Sequence, residues 1–257
     1  MRLYAADMQR IIRSLPKDVI KALKEADGKL FLAGGFIRAR IAGEQVSDID
    51  LWGADKQQLG IMAELFAAKR GVRAMKTDNA YTILAEGRSP VQFITRWTFD
   101  TPEQCCESFD FTIASAAIWY KKDTTAHDEM EGVHKWGGTW ESYCHEDFYR
   151  DLASKSLVYT CPTRNEDAGG SMMRVQKFLH KGYSISPGNL SKVIARLAMG
   201  VRFIANEAKT EEWLAQILLG LLREVDPLCA VDGVELEDEV LSAELQAQFE
   251  EQQVPKH

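Results

Sequence analysis

An α+β fold, a mixed sheet with flanking helices followed by a helical C-terminal region, is what this sequence predicts. Three observations carry the prediction. Short apolar strand candidates alternate with helical segments between residues 4 and 120. Tight turns rich in Gly and Pro separate them, and beyond about residue 147 only helical spacing remains. The chain has 257 residues, 46% of them hydrophobic, which is enough for one large core or two smaller ones.

Taken in order, residues 4–25 have helical spacing that breaks and restarts at Pro16. Residues 29–33 form a short apolar strand, and 36–41 open a helix after two glycines. A strand follows at 48–52. Residues 56–70 are helical, with Leu59, Met62, Leu65 and Phe66 assigned to one face. Residues 80–85 and 91–95 read as strands joined by the turn Gly87-Arg88-Ser89-Pro90. Thr101-Pro102-Glu103 caps a short helix through Glu107, and 111–120 reads as a strand. Residues 121–147 lack periodicity and mark the expected boundary between a domain at 1–146 and a helical one at 147–257. In the latter, 148–157, 171–181, 188–208 and 211–224 have helical spacing, and 234–252 reads as an acidic amphipathic helix or tail.

Composition narrows the function classes. No apolar run approaches a membrane span, and the N-terminus lacks a signal-peptide core, so the expectation is a cytoplasmic protein. The five cysteines are odd in number and fit no disulfide scaffold, which reads as reduced thiols. The net charge of −7 argues against a general nucleic-acid coat. The charge is uneven: residues 150–202 hold nine Lys or Arg against three acids, a net of +6 that leaves −13 elsewhere. A basic middle of this kind can focus a polyanion, or it is simply a set of solvated helix faces.

The most informative stretch runs from Leu30 to Trp52. A strand ends in Gly34-Gly35, a helix begins, and the next strand carries Asp48 and Asp50. Period-two spacing puts both carboxylates on one strand face. Paired hard oxygen ligands beside a glycine turn that can cradle phosphate are what magnesium-dependent phosphoryl transfer needs.

Gly34-Gly35-x-x-Arg38 followed by Asp48-x-Asp50 resembles the head domain of the polymerase-β-type nucleotidyltransferases, in the branch of the tRNA CCA-adding enzymes and bacterial poly(A) polymerases. Asp110-Phe111-Thr112-Ile113 resembles part of that family's Arg-Arg-Asp-Phe-Thr-Ile-Asn motif. Met173-Arg174-Val175-Gln176-Lys177-Phe178, with Gly182-Tyr183, resembles its neck helix. The match runs in patches over residues 28–185. It departs from the family at Ala39, Ser108, Phe109 and Ala114. Ala168 and Ser171 stand where the family's base-reading Asp and Arg belong, with Glu166-Asp167 one residue out of register, so the usual C-and-A selectivity is not expected.

The resemblance implies a nucleotidyltransferase-type mixed sheet and the following chemistry. Asp48 and Asp50 hold two Mg²⁺ ions, and an acceptor hydroxyl attacks the α-phosphate of an NTP with loss of pyrophosphate. The Gly34 and Gly35 amides and Arg38 bind phosphate oxygens. Asp110 is the candidate third acid, as metal ligand or ribose organiser, or else a turn cap, because Gln92 is all that the 91–94 strand offers. Arg174, Lys177 and Lys181 share a helical face that can close over triphosphate or guide an acceptor, or is a solvated face; Met172, Val175, Phe178 and Leu179 form the apolar side.

Weaker constellations carry little. His127, His134, Cys144 and His145 fit no common zinc spacing. Trp136, Trp140 and Tyr143 suit packing better than base stacking, and Cys105-Cys106 read as buried small residues. Three functions are compatible with the chain. One is template-independent transfer to an RNA 3′ end, tRNA-like, in tRNA processing. Another is the same transfer to a small molecule or protein. The third is a non-catalytic nucleotide-binding regulator or scaffold.

Overall fold

The computed structural model describes residues 1–122, 137–162 and 168–204. The expected fold class is what it shows. Seven strands, β1 (Leu30–Ala33), β2 (Ile49–Gly53), β3 (Met75–Lys76), β4 (Ala80–Ile83), β5 (Val91–Ile94), β6 (Ala116–Lys122) and β7 (Gly138–Cys144), form one mixed sheet in the order β3-β4-β5-β2-β1-β6-β7. Only β2 and β5 pair in parallel. Parallel strands need a crossover, and helix α4 (Lys56–Arg70) with the β3–β4 hairpin supplies it.

Residue alternation divides the sheet into two faces. Leu30, Leu32, Ile49, Leu51, Val91, Phe93, Ala116 and Ile118 join the larger core. Helices α1 (Ala5–Ser14), α2 (Lys17–Ala26), α3 (Gly35–Ala42) and α4 contribute to it through Ile11, Leu23, Ile37 and Phe66. The opposite face carries Phe31, Ala33, Trp52 and Ala117, covered by Cys105 and Cys106 of α5 (Pro102–Glu107). These two thiols are buried and unbridged, as the sequence suggests, and Thr101 caps α5 by accepting from the Gln104 amide.

The helices after the sheet are α6 (Phe148–Ala153), α7 (Ala168–His180) and α8 (Pro187–Ile204), with a small parallel pair of β8 (Ser156–Leu157) and β9 (Ser184–Ile185). Phe148, Leu152, Val175, Phe178 and Val193 share the larger core with the sheet. Among the described residues no helix is long and apolar enough to cross a membrane. The expected segments 211–224 and 234–252 lie outside the described residues, as do His127, His134 and Trp136.

Several expectations change. Residues 138–144, expected to fall in a boundary, are the edge strand β7, and Trp140 packs edge-on against Tyr120 at 5.2 Å. Residues 112–114 form a 3-10 turn, so the strand expected from 111 starts only at Ala116. On α4 the buried face is Leu59, Gly60, Ala63, Phe66 and Ala67, while Leu65 is 58% exposed. Leu179 is likewise exposed.

One ion pair ties α2 to the end of α4. Asp18 accepts from Arg70 at 2.8 and 3.3 Å and from Arg88 at 3.4 Å, and the Arg70 side chain is buried. Burial pushes the Asp18 carboxyl up, but the Arg70 hydrogen bond and charge, with the Val19 amide and Arg88, outweigh it and hold the group below the ordinary value of 3.8. A depressed carboxyl contributes stability above its unfolded pKa that is lost as pH falls through its folded pKa. Asp18→Asn is therefore expected to lower stability near neutral pH by roughly 1–3 kcal/mol. The gap from wild type should close as pH drops below about 4; thermal melts between pH 3 and 7 check it.

Candidate active site

The site forms where β1 gives way to α3. Gly34, the N-cap of α3, has φ 89° and ψ −132°, a conformation open to glycine at little cost. A Cβ on Gly34 would sit 3.3 Å from Phe109 Cζ, so the turn also needs glycine for space. At Gly35 nothing lies within 4 Å of where a Cβ would be, so this position opens on free space. The amides that begin a helix have no intrahelical acceptor and attract anions.

Beside this turn runs β2. Its register with β1 pairs Leu32 with Leu51, and one further step sets Ala33 opposite Asp50. Asp48 directly precedes β2, two positions before Asp50. Both are half-exposed, whereas Ile49 and Leu51 between and beyond them are fully buried on the other face. Ser47 Oγ donates to Asp48 Oδ1 at 2.7 Å. In parallel register β5 sets Gln92 next to Asp50, and β4 sets Thr82 next to Gln92. The row Asp50–Gln92–Thr82 thus crosses three strands on the site face, and Thr82 Oγ1 is buried with no hydrogen-bond partner.

Carboxylates are hard oxygen ligands of the kind Mg²⁺ takes, and among the described residues no group of three or more His, Cys, Asp or Glu could hold a metal ion.

Three predicted contacts are placed differently. The Gly34 amide, expected on phosphate, donates to the Ala116 carbonyl at 2.9 Å and extends the sheet. This leaves the cradle to Gly35 and the residues after it. Arg38, also expected on phosphate, is buried within α3. Its Nε stands 3.4 Å from Glu44 Oε2, an ion-pair contact without hydrogen-bond alignment, and its guanidinium lies 4.7 Å from the Phe178 ring centre. Asp110, expected as a third acid, is buried and accepts from Arg174 Nη1 at 2.9 Å. Its carboxylate neutralises the neck cation, and it belongs to no metal-holding group. Arg174 is correspondingly engaged, and Lys177 is half-exposed on the same helix.

Glu44 comes from the structure alone, and Tyr183 and Ser171 have partners that their motifs do not signal. Tyr183 donates its hydroxyl to Glu44 Oε1 at 2.6 Å, so Glu44 joins α3 to the end of α7. Burial, then the Glu44 hydrogen bond and charge, hold the Tyr183 hydroxyl well above its usual range. Ser171, at one of the expected base-reading positions, is buried against Tyr159. Glu44 had no motif to mark it, because its role depends on the turn at Gly43 (φ 71°) that swings it back under Arg38.

The architecture is that of an α+β protein whose mixed sheet leads through a glycine turn into a helix. The chain belongs to the Gabija anti-defense 2 family, whose signature matches residues 4–155, which hold the seven-stranded sheet and helices α1 to α6. It is similar to a protein of Bacillus phage SPbetaL7 named Gabija anti-defense 2, at 22% identity over 192 residues, covering 74% of this chain and 42% of that one. Among solved structures it is similar to the Thermotoga maritima CCA-adding enzyme complexed with tRNA, with a TM-score of 0.48, 18% identity, and coverage of 86% of this chain and 51% of that one. A tRNA nucleotidyltransferase complexed with a primer tRNA and an incoming ATP analog gives a TM-score of 0.46 at 16% identity, with coverage of 70% and 46%. The chain spans about half the length of these proteins, or less.

The two glycines separate folding from binding. Gly34→Ala forces a side chain into positive φ and against Phe109, and should cost about 1–2 kcal/mol of stability. Gly35→Ala should melt with wild type but place a methyl in the phosphate cradle and weaken NTP binding. Thermal melts and calorimetric titration with Mg²⁺-ATP check both.

Proposed function

We propose that this protein is a metal-dependent nucleotidyltransferase that moves NMP from an NTP onto a hydroxyl and thereby opposes the Gabija defence. The observation that supports the reading is Asp50 on β2, one step of the register from Leu51 and so opposite Ala33 at the entry to the Gly34-Gly35 turn, with Asp48 just before the strand. The family name and the phage relative support the anti-defence role.

Asp48 and Asp50 would hold Mg²⁺, which when bound supplies positive charge to the triphosphate and acidifies the attacking hydroxyl. The first-turn amides from Gly35 onward take the phosphate oxygens and orient the chain of phosphates. The hydroxyl oxygen bonds to the α-phosphorus as the bond to the bridging oxygen breaks. The electron pair leaves on pyrophosphate and the hydroxyl proton passes to solvent. Lys177, half-exposed on α7, adds positive charge to that helix, whereas the charge of Arg174 is met by Asp110.

An RNA 3′ end, tRNA-like, is the first acceptor to test, since the net +6 of residues 150–202 suits a polyanion. Ser171 is turned into the core, which supports transfer without the base template of tRNA maturation. The family name favours a second acceptor, a hydroxyl on a protein or small molecule of the defence itself.

Purified protein is incubated with Mg²⁺, each α-labelled NTP, and RNA or extract from cells carrying the defence. Label should enter a macromolecule or small product with wild type, and fall at least 100-fold in Asp48→Ala/Asp50→Ala, as expected when the groups holding the metal are lost. Label in RNA selects the first acceptor, and label in protein or a small product selects the second. NTP binding without transfer to any acceptor would overturn the enzyme reading in favour of a nucleotide-binding regulator.

A further inference from the structure

We propose that Phe109 is the specificity-determining contact of this site, taking the nucleoside half of an NTP against its ring so that the nucleotide is held by stacking and not by its base edges. This rests on the nucleotidyltransferase reading above.

Phe109 is the aromatic residue set directly at the glycine turn: the tip of its ring, Cζ and Cε1, meets the position a Gly34 Cβ would take, at 3.3 and 3.5 Å. The ring approaches the turn by its tip. Trp52, on the same sheet face as Asp50, stands at 86° to it with ring centres 5.8 Å apart, and Phe99 extends the aromatic wall behind Trp52 at 5.9 Å. Phe109 is half-buried. Phe109 and Trp52 thus pack on the sheet face that carries Asp50.

The ring is also fixed in place. The Phe109 amide donates to the Cys106 carbonyl at 3.3 Å, and its carbonyl accepts from Thr160 Oγ1 at 2.5 Å. The next residue is clamped twice: the Asp110 carbonyl accepts the Thr160 amide at 2.9 Å, and its carboxylate accepts from Arg174. A preorganised aromatic surface binds without the entropy cost of ordering a loop.

The chemistry follows from what surrounds the ring. Phosphates belong at the helix amides and the carboxylates, so the apolar wall beside them meets the sugar–base portion of the same molecule. Ser171 is buried against Tyr159 and so offers no donor to a base edge, and Arg174 directs one guanidinium N–H to Asp110. Every base has a π face, and stacking tolerates all four, with purines offering more area.

The test compares Phe109→Leu, which keeps apolar bulk against Gly34 but removes the π face, with wild type. Each is titrated calorimetrically with the four NTPs and with inorganic tripolyphosphate, all with Mg²⁺. In wild type the NTPs should bind more tightly than tripolyphosphate. In Phe109→Leu, affinity for NTPs should fall about tenfold, most for the purines, while tripolyphosphate stays within about twofold. Phe109→Trp should restore NTP affinity, which separates a stacking role from a packing one. Unchanged NTP affinity in Phe109→Leu, or an equal loss for tripolyphosphate, would overturn the inference. Wild type that holds NTPs and tripolyphosphate equally would also overturn it while leaving the phosphate site standing. Wild type that binds neither would bring down the nucleotidyltransferase reading itself.

Discussion

The structure depends on a constraint at Gly34. The residue must continue the sheet, donating its amide to Ala116, and in the same peptide turn the chain into α3 at positive φ. Only a residue without a side chain meets both demands while Phe109 packs over it. The consequences spread outward. Because the turn is this abrupt, α3 starts only two residues after Ala33, which the register sets opposite Asp50. Because Gly34 is bare, the Phe109 ring can close against the turn and bring the Asp110 segment with it.

That segment links the site to the neck. Arg174 reaches from α7 to the buried Asp110 carboxylate, and Tyr183 reaches from the end of α7 to Glu44 beyond α3. Arg38 lies between, paired with Glu44 and covered by Phe178. Breaking a buried pair costs more than forming it gains, since the remaining charge is left without a partner. These contacts therefore set the orientation of α7 relative to the glycine turn more than they add stability. They also explain why cations that a motif would assign to phosphate have other partners.

Much of this was legible in the sequence where local chemistry dictates structure. Paired glycines before a helix, period-two aspartates, the Thr101 cap and the Lys56–Arg70 helix all follow from short-range rules. The failures have physical causes. Arg38 sits on a helix buried nearly all round at Phe36, Ile37 and Ala39, so no polar face told which way it points. Edge strand β7 mixes Thr139, Glu141 and Ser142 with aromatics, and its pairing with β6 is a long-range event that no local pattern signals. Phe109 drew notice only as a departure from a motif, because its contact with Gly34 joins residues far apart in the chain. The family model and the phage relative supply the biological direction, which neither the fold nor the site contains.

The central claim is that Asp48 and Asp50 form a metal site completed by the triphosphate. Electron paramagnetic resonance of Mn²⁺ titrated into the protein, with and without NTP, tests it most directly. The account predicts weak Mn²⁺ binding alone, binding at least tenfold tighter with NTP, as expected for an ion that the protein shares with phosphates, and loss of that gain in Asp48→Ala/Asp50→Ala. Mn²⁺ binding that ignores NTP, or that survives removal of both aspartates, would contradict it.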